Sequence, residues 1–314
     1  MNWYEQNKKE WKEIIETVAA EEHRSAEMVE KDTLQSLFLR ELSRSAVPFV
    51  FKGGTSLSKS YDLIERFSED IDLSMNRKPT ESEKRKIVSV ITSAAERMGM
   101  VLTNSENVQT RHSFNKYVFE YESLFSDIPS ELIVETSFFQ AAFPVEVREV
   151  SSFVGRFCKE RGILLPIPFR ASVVNMQVQS LERTFIDKVF AVCDYRIQNM
   201  QDRDSRHLYD IAKILPAVEV TPEMNNLIID VRKDRMLSGN NPSAQPQYNI
   251  PSMLKEIIRS RFYERDYNDI TKKLLYEDVS YDEAIKNGIA KVVEMDLFQY
   301  RERPRNVEDS GMIR

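Results

Sequence analysis

Two carboxylates occupy alternate positions in the segment Ser68-Glu69-Asp70-Ile71-Asp72-Leu73. Side chains alternate along a β-strand, so Asp70 and Asp72 would project from one face and Ile71 from the other. Two acids about 7 Å apart on one face repel each other. A divalent cation removes that repulsion, and Mg²⁺ binds one or two carboxylates together with phosphate oxygens. The pair therefore predicts a metal site, the alternative being two solvated acids on a strand edge.

A small-residue turn, Gly53-Gly54-Thr55-Ser56-Leu57, precedes the acids. Glycine lets the backbone turn and approach a ligand closely, and groups at the start of a helix favour anions. The candidates for holding phosphate are Gly53, Gly54, Thr55 and Ser56. Neither GxxxxGK[ST] nor GxGxxG is present, and a ligand-free turn between strand and helix is the alternative.

Three more polar residues lie between the turn and the acids. Lys59 follows Thr55 by one helical turn, so both would face the same phosphate. Arg66 precedes the acids and could hold a triphosphate, and Ser68 lies next to them. Each charged residue, taken alone, is more simply explained as a solvated surface group.

Further along the chain, three residues stand out by their surroundings. Glu135 lies in an apolar strand and is the candidate third carboxylate, the alternative being a strand-edge acid. Lys188 rises from an apolar helical stripe, where a lysine either snorkels to solvent or points into a cleft. Asp210 has Arg206 and Lys213 at helical spacing, so an ordinary helix ion pair is its simpler interpretation.

Hydrophobic periodicity indicates the elements that would position these residues. The predicted strands cover residues 47–51, 67–75, 114–121, 131–138 and 145–150. The predicted helices cover residues 3–24, 25–45, 55–64, 80–99, 181–199, 205–215, 224–236, 252–275 and 281–298. The Thr80-Glu81-Ser82-Glu83 segment is a capping box. A boundary near 165–168 divides a first domain, 1–170, from a helical second domain, 171–300, and residues 301–314 form a tail.

Bulk composition is that of an ordinary globular protein. The net charge of −6 argues against a chain that coats nucleic acid, although a local basic patch stays compatible with it. Cys158 and Cys193 are too far apart for CxxC redox or zinc spacing and predict a reduced, cytoplasmic setting. No apolar run reaches the roughly 18 residues of a membrane helix, and no signal-peptide pattern is seen.

Taken together, these residues resemble the AbiEii/AbiGii nucleotidyltransferase toxin family, which includes the MenT-like toxins. Four segments carry the resemblance in order: Phe51–Lys59, Arg66–Leu73, Phe185–Ala191 and Ser205–Ile211. It covers about residues 45–215, and His207 stands where the family pattern often has an acid.

The resemblance implies an α+β protein: a DNA polymerase β-like nucleotidyltransferase domain, with a mixed sheet flanked by helices, followed by a helical C-terminal domain. It implies transfer of a nucleotide from an NTP with Mg²⁺ or Mn²⁺ and release of pyrophosphate. Some relatives look like tRNA 3′-end modifiers, so the tRNA 3′ end is the expected acceptor. The family usually acts beside a cognate antitoxin.

By that likeness, Asp70 and Asp72 are metal ligands, and phosphates are held by Gly53, Thr55 and Ser56. Lys188 would contact the nucleotide, and Asp210 would complete the active site from the second domain. Glu135, read from its strand as a third metal-binding acid, agrees with the usual acid triad of that fold.

Two other functions stay open. The acceptor could be a protein side chain or a small molecule instead of RNA. A basic stripe from Arg183, Lys188, Arg196, Arg203 and Arg206 would favour RNA. The chain could also be a non-catalytic nucleotide-binding module, although such a module would be expected to have lost one of the two aspartates.

Overall fold

The computed structural model describes residues 3–110, 112–163 and 173–299. In these ranges the chain forms a mixed sheet of seven strands flanked by helices, followed by a helical half. The predicted α+β class is confirmed. The predicted boundary at 165–168 and the predicted tail at 301–314 lie outside the described residues.

The acids lie on a central strand of the sheet. The strands are β1 (Val50–Lys52), β2 (Asp70–Ser74), β3 (Val101–Leu102), β4 (Phe114–Tyr121), β5 (Ser130–Ser137), β6 (Val145–Ser151) and β7 (Val173–Gln179). Their order across the sheet is β3-β4-β5-β2-β1-β7-β6. Strand β2 runs parallel to β5 and antiparallel to β1, and β1 runs parallel to β7.

Helices cover the sheet and build the second half of the chain. The helices of the first half are α1 (Trp3–Gln6), α2 (Lys8–Glu21), α3 (Ala26–Ser43), α4 (Gly53–Lys59), α5 (Glu81–Arg97) and α6 (Phe153–Glu160). Those of the second half are α7 (Leu181–Ile197), α8 (Arg206–Ile214), α9 (Pro222–Met236), α10 (Ile250–Ser260), α11 (Glu264–Asp266), α12 (Lys272–Leu274), α13 (Tyr281–Asn287) and α14 (Ile289–Glu294). None of the helices in the described ranges has both the length and the apolar character required to cross a bilayer.

Local sequence signals explain several of these elements. The predicted capping box at the start of α5 is present, with Thr80 accepting from the Glu83 backbone and Glu83 accepting from that of Thr80. The period-2 pattern of β4 buries Tyr117 and Phe119 and exposes the residues between and beside them more. Both signals depend only on neighbours in sequence, so they hold in the folded chain.

The predicted helix over 3–24 breaks at Asn7, between α1 and α2, and two further predicted helices are interrupted. The one over 252–275 ends at Ser260 because Arg261 has a φ of 50°, a left-handed conformation that an α-helix cannot continue. The one over 281–298 breaks at Gly288, where α13 ends and α14 begins. In both cases the helical periodicity continues across the break, so the pattern alone did not reveal it.

Two hydrophobic cores divide the chain. The first lies between the sheet and its helices, with Trp11, Phe38 and Phe119 fully buried in it. The second lies among the later helices and buries residues such as Phe185 and Tyr209. Strand β7 belongs to the first core and α7 to the second, so the packing changes about ten residues after the predicted division at 170.

Candidate active site

Strand β2 presents its two aspartates on the face of the sheet opposite the first core. Ile71 and Leu73 are fully buried in that core, whose helix α3 packs against β5 and β7. Asp70 and Asp72 alternate with them and are only partly exposed. The strand geometry expected from the sequence is therefore present.

Neighbouring strands place a third acid and two lysines beside Asp72. In the ladder, Lys52 of β1 and Glu135 of β5 are the two residues opposite Asp72. Glu135 is in turn opposite Lys116, whose Nζ lies 3.5 Å from Glu135 Oε1. We call Asp70, Asp72 and Glu135 the acid face.

The pKa of each acid in the acid face is raised. Burial raises the pKa of Asp72 to about 6; the Lys52 ammonium opposes this shift, and the Glu135 and Asp70 charges add to it. Burial also raises the pKa of Asp70, and burial together with the Asp70 charge raises that of Glu135. Such a group of acids gains free energy from a nearby cation.

The donor set fits a divalent cation held by two carboxylates. No hydrogen bond or ion pair engages the side-chain carboxylate of Asp70 or of Asp72 in the described part of the chain. Within those same ranges no three His, Cys, Asp or Glu side chains converge as a metal cluster, so Glu135 as third ligand stays a prediction. Mg²⁺ needs only one or two carboxylates when substrate phosphates supply the other oxygens.

The glycine turn lies directly against the acid face. Gly53 has a φ of +79°, and a Cβ there would lie 2.0 Å from Asp72 Oδ2. A Cβ on Gly54 would lie 2.6 Å from Arg66 Nη2 and 2.8 Å from Ser68 Oγ. The first position needs glycine for its backbone conformation and for space, and the second needs it for space.

The hydroxyls of the turn are already engaged. Thr55 Oγ1 donates to the Asp70 carbonyl oxygen at 2.5 Å and lies 2.9 Å from Ser68 Oγ. Ser56 Oγ donates to the Gly53 carbonyl oxygen at 2.9 Å, and both side chains are buried. They join the turn to β2, so their predicted phosphate contacts would need these hydrogen bonds to rearrange.

The structure does not bring Lys59 to the acid face. Its Nζ lies 2.7 Å from the Asp32 carbonyl oxygen, 2.5 Å from Asp32 Oδ1 and 3.0 Å from Ser36 Oγ. Burial lowers the pKa of Lys59 to about 8, against the opposing effect of Asp32. The lysine therefore joins α4 to α3, and these contacts do not support its predicted role as a phosphate ligand.

Two other predicted site residues, Arg66 and Lys188, contact Asp210. Arg66 contacts it bidentately, with Nε 2.7 Å from Oδ1 and Nη2 2.8 Å from Oδ2. Lys188 Nζ lies 2.6 Å from Oδ2 and 3.4 Å from His207 Nδ1. We call Arg66, Lys188, His207 and Asp210 the Asp210 node.

Two cations compensate the Asp210 carboxylate, and the node as a whole carries a net positive charge. Burial opposes ionisation of Asp210, yet Arg66 and Lys188 hold its pKa well below the usual range. Burial lowers the pKa of Lys188, and Asp210 opposes that shift. Burial and the Lys188 charge lower the pKa of His207 to about 4, so this imidazole is neutral at pH 7.

The node lies beside the acid face. Burial raises the pKa of both Asp72 and Asp70; the Lys188 charge opposes the rise at Asp72, and the Arg206 charge opposes it at Asp70. The Arg66 guanidinium, expected to hold a triphosphate, donates to Asp210 and to the Phe67 carbonyl oxygen. Its hydrogen bonds thus join the segment before β2 to the helical half.

Two residues beside the site were not assigned a role from the sequence. Gln35 Nε2 donates to the Glu69 carbonyl oxygen at 2.8 Å and lies 3.3 Å from that of Ser68, which fixes the entry to β2. Lys52 faces Asp72 across the ladder. Its position next to the glycine turn was the only available signal, since cross-strand register is not visible in one sequence.

The five cations considered for an RNA-binding stripe all have acidic partners. The pairs are Arg183–Asp187, Lys188–Asp210, Arg196–Glu256, Arg203–Asp204 and Arg206–Asp204. Arg183 and Lys188 are also buried. These residues therefore do not form a continuous free basic surface.

Comparison with known proteins identifies the family of this chain. A sequence model of the family described as "Nucleotidyl transferase AbiEii toxin, Type IV TA system" matches residues 37–287. No curated protein matches the chain.

Three solved structures are similar in overall shape. MenT4, a nucleotidyltransferase toxin from Mycobacterium tuberculosis, is 15% identical with a TM-score of 0.47, and the match covers 89% of this chain and 88% of that one. A putative nucleotidyltransferase from Helicobacter pylori is 17% identical, with a TM-score of 0.47 and coverage of 87% and 97%. JHP933 from H. pylori is also 17% identical, with a TM-score of 0.43 and coverage of 87% and 94%.

Proposed function

We propose, from the premise that this chain belongs to the AbiEii nucleotidyltransferase toxin family, that it transfers a nucleotide from an NTP to an acceptor hydroxyl. Pyrophosphate is the leaving group. The observation that carries this proposal is the Asp70–Asp72 pair, whose side-chain carboxylates have no hydrogen bond or ion pair within the described residues and lie against the Gly53 turn.

The acid face supplies the metal-binding groups in this proposal. Asp70 and Asp72 would hold Mg²⁺ or Mn²⁺ together with oxygens of the triphosphate. When bound, the ion supplies positive charge for the attacking and leaving oxygens. Gly53 and Gly54 present no side chain, so a phosphate can approach the backbone beside Asp72.

The Asp210 node supplies fixed positive charge from the other side. Lys188 lies between Asp210 and the acid face, where its ammonium would contact the nucleotide. Asp210 keeps Lys188 and Arg66 charged and oriented despite their burial, which is electrostatic preorganisation. We therefore propose Asp210 as a positioning residue, and Lys188 as a group that touches the substrate.

The acceptor we propose is the 3′ end of tRNA, as the family resemblance implies. One observation favours a second candidate, a protein or small-molecule acceptor: the five cations considered for an RNA path are ion-paired. We also propose a cytoplasmic location and a cognate antitoxin that neutralises the toxin.

The test is a transfer assay with each of the four labelled NTPs, Mg²⁺, and either total tRNA or total protein. Label on tRNA supports the proposed acceptor, and label on protein supports the second candidate. Asp72→Ala should transfer nothing while remaining folded by circular dichroism. NTP binding without labelling of either acceptor pool would instead indicate a non-catalytic nucleotide-binding module.

A further inference from the structure

A cavity of about 110 Å³ lies where the sheet meets the helical half. Its lining includes Lys52, Ser74, Ser137, Phe139, Gln140 and Asn240. Lys52 is also the residue opposite Asp72 in the ladder, so the cavity and the acid face share a wall.

Strand periodicity places the cavity on the same side of the sheet as the acids. Ser74 lies two residues beyond Asp72 on β2, and Ser137 lies two residues beyond Glu135 on β5. Residues two apart on a strand share a face and are separated by about 7 Å. Ser74 Oγ donates to the Ser137 carbonyl oxygen at 2.7 Å, which closes the floor between the two strands. The cavity therefore begins one strand repeat from the acid face.

A buried network fixes the opposite wall. Two arginines donate to the Asp187 carboxylate: Arg183 Nε lies 2.9 Å from Oδ2, and Arg235 Nη1 lies 2.9 Å from Oδ1. Gln179 Nε2 lies 3.3 Å from the same Oδ2, and Gln179, Arg183 and Arg235 are all buried. A wall with this many mutual contacts is preorganised, so a ligand would not need to order it.

The lining of the cavity carries polar and aromatic groups that are available for a ligand. No hydrogen bond engages the side-chain amides of Gln140 and Asn240 within the described residues. Each amide offers both donors and an acceptor. Phe139 leaves 44% of its surface exposed. Amides that read a base edge and an aromatic ring that stacks on its face are the usual means of recognising an unpaired nucleobase.

We propose that this cavity binds a nucleobase. The inference rests on the proposed nucleotidyl transfer, and the base belongs either to the incoming NTP or to the terminal nucleotide of the acceptor. A ribose separates a base from its α-phosphate, which matches a cavity beside, and not within, the acid face. The amides of Gln140 and Asn240 would then select the base.

The test uses Phe139→Ala, Gln140→Ala and Asn240→Ala. For each, kcat/KM is measured with ATP, GTP, CTP and UTP, and then with acceptor RNAs that differ only in the 3′-terminal nucleotide. If the base comes from the NTP, discrimination among the NTPs falls about tenfold while acceptor discrimination is unchanged. If it comes from the acceptor, the reverse is found. Either result supports a base-binding cavity.

Leu237→Ala is the matched control, because this exposed residue lies three positions before Asn240 and does not line the cavity. Binding of the four nucleoside monophosphates without acceptor gives a readout that does not depend on turnover. A wild-type protein that transfers nucleotides, with variants that keep both its NTP and its acceptor discrimination, would overturn the inference. A wild-type protein that transfers nothing would instead refute the proposed function.

Discussion

The acid face and the Asp210 node, which both feel the charge of Lys188, shift the pKa of an aspartate in opposite directions. Asp72 lies on a sheet face with other acids, and its pKa is raised to about 6. Asp210 is fully buried, and its pKa is held well below the usual range by Arg66 and Lys188. Asp210 has two cations in direct contact, whereas no cation forms an ion pair with the Asp72 carboxylate among the described residues.

In the proposed function, this difference distinguishes a metal-binding carboxylate, Asp72, from a positioning one, Asp210. A buried charge without a partner is unfavourable, so the acid face lowers the free energy of unfolding when no cation is bound. In the Asp210 node the carboxylate instead orients Arg66 and Lys188, and its pair with Arg66 joins the segment before β2 to the helical half. Four substitutions test this contrast.

The largest effect is expected at the acid face. Asp72→Asn keeps the shape of the side chain and removes the charge, so transfer should fall by about 10³-fold or more. Stability at pH 7 should not fall, because the substitution relieves repulsion among the acids. Steady-state kinetics and urea unfolding measure both. Glu131→Gln, an exposed acid on β5, is the control and should keep full activity. A folded and fully active Asp72→Asn protein contradicts the assignment.

The opposite result is expected at the Asp210 node. Asp210→Asn leaves Arg66 and Lys188 buried without a counter-charge, which should cost about 3–5 kcal/mol of unfolding free energy. Glu256→Gln breaks an exposed pair with Arg196 and should cost less than about 1 kcal/mol. Urea denaturation of both variants gives the comparison. Equal losses in the two would show that the node is not a buried, compensated cluster.

The glycine turn tests how closely the backbone must approach the acid face. Gly53→Ala should displace Asp72, costing roughly 1–3 kcal/mol of stability and about 10²-fold in rate. Gly162→Ala is matched, since its φ is also positive at +65° but nothing lies within 4 Å of the added Cβ. It should cost about 1–2 kcal/mol and no activity. Similar transfer rates for both variants would show that the close approach of Gly53 to Asp72 does not matter for activity.

The smallest effect is a pH dependence of stability from His207. Its folded pKa of about 4 lies below the unfolded value of 6.5, so the unfolded chain binds more protons between these limits. Stability should therefore rise with pH across this window, by at most about 1.4 kcal/mol per pH unit from this group. Asp72, with a raised pKa of about 6, contributes in the opposite direction between about pH 4 and 6.

His207→Gln should reduce the slope of unfolding free energy against pH, measured in EDTA from pH 4 to 7. His112→Gln, which replaces an exposed histidine, is measured beside it for comparison. An unchanged slope in His207→Gln would show that this imidazole is not buried as a neutral group.

Periodic signals predicted much of the fold. The alternation in β4, the capping box of α5 and the apolar spacing of α7 all depend on near neighbours, and each element formed where expected. Strand β7 and helix α6 had no such prediction. Strand β7 joins β1 and β6 across long stretches of sequence, and such pairing leaves no local pattern.

The sequence by itself determined the chemical groups of the site: two aspartates on one strand face and a glycine turn before them. Only the tertiary structure decided how the charges are shared. It placed Lys59 against Asp32, and Arg66 and Lys188 on Asp210, and it left the side-chain carboxylates of Asp70 and Asp72 without a hydrogen bond or ion pair in the described ranges. Strand alternation follows from the covalent geometry of neighbours, whereas the partner of a charge depends on which distant segments the packing brings within a few ångströms.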